Sequence, residues 1–455
     1  MLPYQEEKKR RSDMISYFPQ EIRDHIVSFL PLEDAIRTSI LSKQWRKVCS
    51  TLSNLDFNQR HFFQLENRNL QDFKAFIYQT INLHDESDIE LFKLYVDQAD
   101  DEFVCHISEW VSFAFAHHVR QLQLWVLDDE CQKFPFCLFS SDSLTSLILV
   151  NINLKLPKNV KFPNLRYSRF FMVEFFDDDT ADQFFSNCPV LETFRFQTCS
   201  MRHHNIFTIS APNLKFLMLE PMYSPPEIKI TSTNLQQIIF NGTPPPAVNL
   251  YAASCSLYRA TFRFASLPAT EVIDHSTRKI LLELRTVKEL ILGPFFIEFL
   301  TRGPDLSAQL PVSCSSVEHL HLEMYPTRNQ VHVITLLLRS YPNLQTLRLS
   351  VEREQLNASM FDLEEHCEIQ ELRDDGILKE LKIVEFEYFE GSESELNLVR
   401  YLLENANVLE DLNIIFSKQD QIEATHRIDI TEKMQTLTRA SPYVAVSITK
   451  SNMDL

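Results

Sequence analysis

The sequence predicts an α/β protein in two parts, a small three-helix module at the front and a long, curved solenoid of parallel strands behind it. Two observations support this prediction. Three short segments with an apolar stripe follow one another between residues 13 and 60, separated by Pro31 and Ser42. Behind them, a spacing of apolar residues at positions i, i+3 and i+5 recurs along the rest of the chain. A unit that repeats in this way cannot bury its apolar face alone, so its copies must stack.

The first helix of the module is predicted to begin at Pro19, because a proline loses nothing where the N–H would be unpaired anyway. The apolar residues that follow fall on one helical face, at Ile22, Ile26, Phe29 and Leu30. Pro31 forbids the continuation of this helix.

The second and third helices follow directly. The segment LEDAIRTSIL has acidic residues at its start and, behind them, the apolar residues Ala35, Ile36, Ile40 and Leu41. Ser42 can cap the next segment, which aligns Trp45, Val48, Cys49 and Leu52. A module of this size is near the lower limit for forming a hydrophobic core of its own, so the sequence predicts that it binds a partner.

Residues 13 to 57 resemble an F-box. The resemblance lies in Phe18-Pro19, where the family usually has Leu-Pro, in the core SFLPLEDAIRTSILSKQWR, and in Asp56-Phe57. Phe18 departs from the family pattern but keeps an apolar group. The resemblance implies docking on a SKP-type adaptor, which bridges the module to a cullin and a RING subunit. Carried over by position, the residues expected at or just beneath that contact are Phe18, Pro19, Ile22, Leu30, Pro31, Leu41 and Trp45.

Composition and charge narrow the class of protein. The 455 residues carry a net charge of −18, and residues 1 to 60 hold ten Lys/Arg against eight Asp/Glu, so the acidity lies behind the module. This balance argues against binding to duplex nucleic acid. Nine scattered cysteines without a C-x-x-C pair favour a reducing compartment. We expect no membrane span and a location in the nucleus, the cytoplasm or both, with KKRR at 8 to 11 as either an import signal or a solvated tail.

The repeats are spaced as in leucine-rich repeats, with 21 to 34 residues between successive copies against a typical length of about 20 to 29, so most spacings match and the rest are stretched. The copies are Ile89/Phe92/Leu94, Val119/Leu122/Leu124, Leu144/Leu147/Leu149, Leu191/Phe194/Phe196, Leu214/Leu217/Leu219, Leu235/Ile238/Phe240, Val287/Leu290/Leu292, Val317/Leu320/Leu322, Leu344/Leu347/Leu349, Leu378/Leu381/Ile383 and Leu409/Leu412/Ile414. Two weaker copies are Leu165/Ser168/Phe170 and Leu257/Ala260/Phe262. Helices are predicted over 72–81, 101–118, 180–187 and 331–340, which places short strands on the concave side and helices on the convex side.

A second recognisable block lies at residues 377 to 414, ILKELKIVEFEYFEGSESELNLVRYLLENANVLEDLNI, and resembles the FBD motif of plant F-box/leucine-rich-repeat proteins. Ser392 and Glu395 have the spacing of a capping box at the start of a helix. The resemblance to the plant F-box/leucine-rich-repeat/FBD family thus spans nearly the whole chain. The predicted domains are a disordered basic tail at 1–12, the F-box at 13–60, the repeats at 61–376, and the FBD domain with a C-terminal cap at 377–455.

The same register identifies the candidate target surface, because residues between and beside the buried pair of each strand point outward. These residues include Lys93, Tyr95, Trp125, Tyr167, Arg169, Phe171, Arg195, Phe216, Met218, Arg259, Arg263, His319, His321 and Arg348. From the strand at 89 to the strand at 344, outward positions hold six Lys/Arg and three Glu.

This excess of positive charge suggests recognition of an acidic or phosphorylated protein segment. The arginines Arg169, Arg195, Arg259 and Arg263 would bind its carboxylates or phosphates, and the rings of Trp125, Tyr167, Phe171 and Phe216 would anchor it. The alternative is that these are ordinary solvated strand residues.

Taken together, the sequence favours a non-catalytic substrate receptor of a ubiquitin ligase of the SKP–cullin–F-box type. The alternative functions are an adaptor-bound structural or signalling repeat protein and a small-molecule co-receptor. Five glycines leave little room for phosphate loops, and no catalytic arrangement is evident. No cofactor or metal is expected, since His319 and His321 lack a third ligand nearby in sequence.

Overall fold

The computed structural model describes residues 18–64, 68–100, 102–128, 136–137, 140–157, 160–175, 179–199, 206–222, 227–250, 256–265, 274–301, 314–352, 378–417 and 424–450. The chain divides into two compact units, Met1–His203 and His204–Leu455. The predicted basic tail at 1–12 lies outside the described residues. Within the described part, none of the helices has the length and apolar character that crossing a bilayer requires.

The predicted three-helix module is confirmed. Its helices are α1 (Gln20–Ser28), α2 (Leu32–Thr38) and α3 (Lys43–Ser50). Pro19 and Pro31 stand directly before α1 and α2 in extended conformation, one position earlier than the first helical residue. The Ser42 hydroxyl accepts a hydrogen bond from the Trp45 backbone N–H at 3.4 Å, which caps α3. A small core of Val27, Ala35, Trp45 and Val48 holds the helices together, with Ile26 and Leu52 packed against it.

The rest of the first unit contains a parallel sheet of the short strands expected for leucine-rich repeats. In spatial order these strands are β1 (Asn54–Asn58), β2 (Leu91–Val96), β3 (Gln121–Val126), β5 (Ser146–Val150), β7 (Tyr167–Phe171) and β9 (Thr193–Gln197). A second parallel sheet joins β4 (Phe136–Cys137), β6 (Asn153–Lys155) and β8 (Glu174–Phe175). The helices are α4 (Gln59–Gln64), α5 (Leu70–Leu83), α6 (Phe103–Ala116) and α7 (Asp179–Ser186), which confirms the three helices predicted here.

The second unit repeats this organisation. Its main parallel sheet runs through β11 (Phe216–Met222), β13 (Gln237–Gly242), β15 (Arg259–Phe264), β16 (Glu289–Leu292), β17 (His319–Met324), β18 (Thr346–Val351), β19 (Ile383–Phe389), β20 (Asp411–Phe416) and β21 (Ala445–Lys450). A smaller parallel sheet holds β10 (Ile206–Ile209), β12 (Glu227–Ile230) and β14 (Val248–Asn249). The helices are α8 (Asp274–Glu283), α9 (Pro294–Thr301), α10 (Arg328–Arg339), α11 (Glu393–Asn405) and α12 (Ala424–Gln435).

Stacked apolar rows explain why the strands align. Leu122 and Leu124 of β3 are fully buried, and their register partners on β5 are Leu147 and Leu149, which are also fully buried. One strand therefore supplies apolar surface that the next strand covers, which is the reason a single repeat cannot fold alone.

Helices do not fill every connection between main strands. From Val150 to Tyr167 and from Met222 to Gln237, the chain forms the short strands β6 and β12 instead. Both connections are shorter than those that hold helices, such as the one from Phe171 to Thr193 with α7. The prediction of helices opposite the strands therefore holds only for the longer repeats.

The predicted register of one repeat is wrong. In the copy at 378 the strand side chains that enter the core are Val384 and Phe386, whereas Ile383 is 40% exposed and pairs with Thr346. Leu381 is the first residue of this copy, three positions later than predicted. Leu378/Leu381/Ile383 and Leu381/Val384/Phe386 both have the apolar spacing, and Leu378 is buried as well, so the sequence pattern does not separate the two registers.

The sequence pattern also missed the first strand. Leu55 and Phe57 of β1 are fully buried and pair with Phe92 and Leu94 of β2. The end of the F-box segment is thus itself the first strand of the sheet.

The junction between α3 and β1 is short and hydrogen-bonded. Residues 51–53 are all that separate the two elements. The Ser50 carbonyl accepts from the Asp85 N–H at 2.9 Å, and the Ser53 carbonyl accepts from the Glu90 N–H at 2.8 Å. The module is therefore tied to the first repeat through the backbone itself.

The capping box predicted in the FBD-like block is confirmed. The Ser392 N–H donates to the Glu395 carboxylate at 2.6 Å, and the Ser392 hydroxyl accepts from the Glu395 N–H at 3.3 Å. These two bonds satisfy backbone donors at the start of α11 that would otherwise be unpaired.

Candidate binding surfaces

The first candidate surface lies on the F-box module, where large apolar side chains are unusually exposed. Six of the sixteen exposed large hydrophobic residues in the described part of the chain fall between residues 18 and 41. They are Phe18, Ile22, Phe29, Leu30, Ile40 and Leu41, exposed by 39%, 46%, 74%, 37%, 85% and 64%, and we call them the front apolar surface. Such a concentration of apolar side chains in water marks an interaction surface.

The residues predicted at the adaptor contact divide into two groups. Phe18, Ile22, Leu30 and Leu41 belong to the front apolar surface, and Pro19 and Pro31 are also exposed. Trp45 is 2% exposed and lies in the core of the module. The structure therefore places Trp45 beneath the surface.

Two exposed residues were not among those predicted. Phe29 follows the end of α1, and Ile40 follows the end of α2, so neither belongs to the buried stripe of its helix. The sequence contained a signal for both residues. Pro31 requires α1 to end near Phe29, and Ser42, as the cap of α3, requires α2 to end near Ile40.

The second candidate surface is the outward face of the main sheet in the first unit, which we call the first-unit face. Register aligns Tyr95, Trp125, Val150 and Phe171 in one row and Lys93, Gln123, Ile148, Arg169 and Arg195 in the next. Most of these side chains, and Tyr167 beside them, are half-buried. The Arg169 Nε–H donates to the Gln197 Oε1 at 2.9 Å, and the Lys93 ammonium lies 2.8 Å from the Asp56 carboxylate. This face is rich in rings, with basic side chains beside them.

The outward face of the second unit differs, because its arginines are held by acids. Arg259 lies 2.6 Å from the Glu289 carboxylate, and Arg263 lies 2.6 Å from that of Glu323. Phe216, the predicted aromatic anchor on this unit, is half-buried on β11. An acidic ligand would have to displace a glutamate to reach either arginine. Arg259 and Arg263 are therefore poorer candidates for phosphate recognition than the sequence suggests.

The charge balance of this face also changes when its last strands are included. Arg348 contacts Glu387 on β19, and Glu385 and Asp411 occupy further outward positions. The basic excess counted up to the strand at 344 does not extend into the FBD-like block.

Gly293 lies close against the arginine of one of these ion pairs. Arg263 is on β15 and Glu323 is on β17, so the arginine side chain reaches across the end of β16. A Cβ atom at Gly293 would lie 3.0 Å from the Arg263 Cα, which is closer than ordinary van der Waals contact. The glycine leaves room for the arginine there.

A histidine lies within this charged network. His321 Nε2 is 3.0 Å from the Ser350 hydroxyl, which donates to the Glu387 carboxylate at 2.7 Å. Burial lowers the pKa of His321. The nearby Arg348 and Arg263 lower it further, whereas Glu323 raises it. Burial alone would raise the pKa of Glu387, but hydrogen bonds from Arg348 and Ser350 hold it below its ordinary value.

These shifts predict that acid destabilises the second unit. The unfolded chain takes up a proton on histidine near pH 6.5, whereas folded His321 resists protonation, so its contribution is lost as the pH falls below 6.5. The contribution of Glu387 is present above its ordinary pKa of 4.5 and is lost as the pH falls further. We expect the urea midpoint of unfolding to be lower at about pH 5.5 than at about pH 7.5, and His321→Gln to reduce this difference.

A matched control for this experiment is Thr346→Ser, which changes an outward residue of β18 that does not titrate. It should leave the difference between the two pH values intact. An unchanged pH dependence in His321→Gln would contradict the attribution of the acid destabilisation to His321.

Metal chemistry finds no candidate ligand set in the described residues. No three His, Cys, Asp or Glu side chains there come together in a way that could hold an ion.

Comparison with known proteins gives similarities over both parts of the chain. The LRR domain model of At1g61320/AtMIF1 matches residues 80–447, and the F-box domain model matches residues 15–57. Similar proteins of Arabidopsis thaliana include F-box/FBD/LRR-repeat protein At1g13570, which is 27% identical over 442 residues, covering 94% of this chain and 97% of that protein. F-box/FBD/LRR-repeat protein At1g78750 is 24% identical, covering 96% and 97%. F-box/LRR-repeat protein 13 is 25% identical, covering 88% and 89%.

Proposed function

The chain belongs to the plant F-box/leucine-rich-repeat/FBD protein family, and from this premise we propose that it is the substrate-recognition subunit of a SKP–cullin–F-box ubiquitin ligase. In this proposal it acts in the nucleus or the cytoplasm and performs no chemistry itself. The single observation that supports it most is the front apolar surface on an F-box module.

The F-box side of the proposal follows from the cost of leaving apolar surface wet. Each large apolar side chain moved from water into an interface contributes about 1.5 to 3 kcal/mol. A SKP-type adaptor that covers Phe29, Ile40 and Leu41 would remove the three most exposed side chains of this surface from water. The adaptor would in turn connect the chain to cullin and RING subunits.

The target side of the proposal is the first-unit face. Large rings held half-buried on neighbouring strands lose little freedom on binding, and such residues often dominate protein interfaces. Arg169 and Arg195 stand in the adjacent row, so a target segment with apolar and acidic side chains would fit this face best. Tethering such a segment near a ubiquitin-loaded enzyme raises its effective concentration there.

One experiment tests the ligase proposal as a whole. The full chain would be purified from plant cells with and without a proteasome inhibitor, and its partners would be identified. The proposal expects the adaptor, the cullin and the RING subunit together, and target proteins that accumulate with the inhibitor. Capture of the adaptor alone would favour a structural or co-receptor role.

The target surface can be tested separately. The triple variant Trp125→Ala, Tyr167→Ala and Phe171→Ala is expected to weaken target binding by at least about 30-fold, because each lost ring removes an anchor. Capture would be measured by quantitative mass spectrometry in a background that does not recruit the adaptor, so that bound targets persist. A control triple on the second unit, Thr346→Ala, Asn413→Ala and Ser447→Ala, should capture the wild-type set. Equal capture by both triples would reject the first-unit face.

A further inference from the structure

A cavity of about 570 Å³ lies between the F-box helices and the first strands of the first unit. Its wall is formed by α1, α2, α3, β1, one residue of α4 and the start of β2. Leu30, Leu52 and Leu91 contribute apolar surface to this wall. It borders the first-unit face, because Asp56 and Asn58 of its wall are the register partners of Lys93 and Tyr95.

One carboxylate in this cavity lacks the partners that its burial requires. Glu33 of α2 is 4% exposed, and its Oε1 accepts no hydrogen bond. Its Oε2 lies 3.6 Å from the His61 Nδ1, which is beyond hydrogen-bond length. A buried carboxylate oxygen without a donor is costly to keep, so the position calls for a group that is missing from the isolated chain.

Two more carboxylates lie on the same wall. The Oδ2 of Asp56 on β1 accepts a hydrogen bond from the Lys93 ammonium at 2.8 Å. The Oδ1 of Asp56 is buried and accepts no hydrogen bond. Asp24 of α1 is the third acid, and the wall holds no lysine or arginine within the described residues. The cavity is therefore prepared for positive charge.

We propose that this cavity binds an organic cation, an alkylguanidinium or alkylammonium group, with its charged head on Glu33. The leucines of the wall would cover the hydrocarbon stem, just as apolar surface in other proteins covers the stems of lysine and arginine side chains. A bare divalent ion suits the site less well, because no three carboxylate, histidine or cysteine side chains among the described residues come together to hold one. The cation can come from a free amine or from an arginine side chain of a bound protein.

The inference is independent of where the target binds and of whether ubiquitin is transferred. It requires only that the F-box module be folded on the first repeat. Leu30 and Pro31 line the cavity and also belong to the predicted adaptor contact, so the experiment is best done on the chain in complex with its adaptor.

The test is calorimetric titration of that complex with agmatine, a butylguanidinium amine. We expect saturable binding at one site, weakened at least about tenfold by Glu33→Gln, which keeps the shape and removes the charge. The control Glu86→Gln changes an exposed carboxylate of the same unit and should bind agmatine as the wild type does. The uncharged analogue N-butylacetamide should not bind.

Two further measurements keep the test decisive. If Glu33→Gln no longer captures the adaptor, Asp24→Asn takes its place, since that carboxylate is exposed and its loss should still weaken agmatine binding several-fold. A pentapeptide with a central arginine separates the two sources of the cation: tighter binding than agmatine indicates a protein side chain, and weaker binding indicates a free amine. Absence of saturable heat up to about 10 mM agmatine, or equal affinity in wild type and Glu33→Gln, would overturn the proposal.

Discussion

Replacing Ile40 and Leu41 with aspartate is expected to abolish adaptor binding while leaving the F-box module folded. These two side chains are 85% and 64% exposed, so the change removes no core contact. Their backbone N–H groups donate to Arg37 and Thr38 carbonyls at 3.3 and 2.9 Å, and these bonds do not depend on the side chains. In the complex, however, two apolar contacts would be lost and two charges would be buried without partners.

The expected size of this effect is a loss of affinity of more than about 100-fold, which surface plasmon resonance with purified SKP-type adaptor would measure. Ile428→Asp is a suitable control, because Ile428 is a 57% exposed apolar residue on α12 of the second unit. It should bind the adaptor as the wild type does. An affinity of the double variant within about threefold of wild type would show that the front apolar surface is not the adaptor contact.

Replacing Trp45 with alanine is expected to abolish adaptor binding for a different reason. The indole is 2% exposed and forms one core with Val27, Ala35 and Val48. Truncating such a ring costs about 3 to 5 kcal/mol, which is comparable to the whole stability that a module of this size can have. The cap on α3 would survive, since Ser42 bonds the backbone of residue 45.

Hydrogen exchange distinguishes the two mechanisms. In Trp45→Ala the amides of α1, α2 and α3 should exchange rapidly, whereas in the Ile40/Leu41 variant they should remain protected. Trp45→Phe keeps most of the apolar volume and should retain partial protection and binding. If Trp45→Ala kept full protection and lost only the adaptor, Trp45 would be a contact residue after all.

The sequence predicted the three module helices, most of the repeat strands and the capping box, because their signals are local. Ser42 and the capping box at Ser392 depend on neighbours within one turn, and the buried pair in each strand, such as Leu122 and Leu124, depends on a step of two. Each signal therefore lies inside one short window.

Several features that it missed depend on residues far away in the chain. Arg263 meets its glutamate 60 residues later, so a count of outward charges could not reveal that the arginine is paired. Two apolar spacings are possible at Leu381, and pairing with the neighbouring strands β18 and β20 decides between them. The cavity beside Glu33 is formed by residues of four helices and two strands together, so sequence spacing does not indicate it.

For the proposed ligase subunit, the short three-residue connection between α3 and β1 has a consequence for the geometry of ubiquitin transfer. A receptor with a loose hinge at this point could swing its cargo and present many lysines in turn. Here the hydrogen bonds that the Ser50 and Ser53 carbonyls accept fix the orientation of the first repeat relative to α1, α2 and α3. The choice of modified lysine would then follow from where along the strands the cargo docks, and a glycine-rich insertion after residue 52 would broaden that choice.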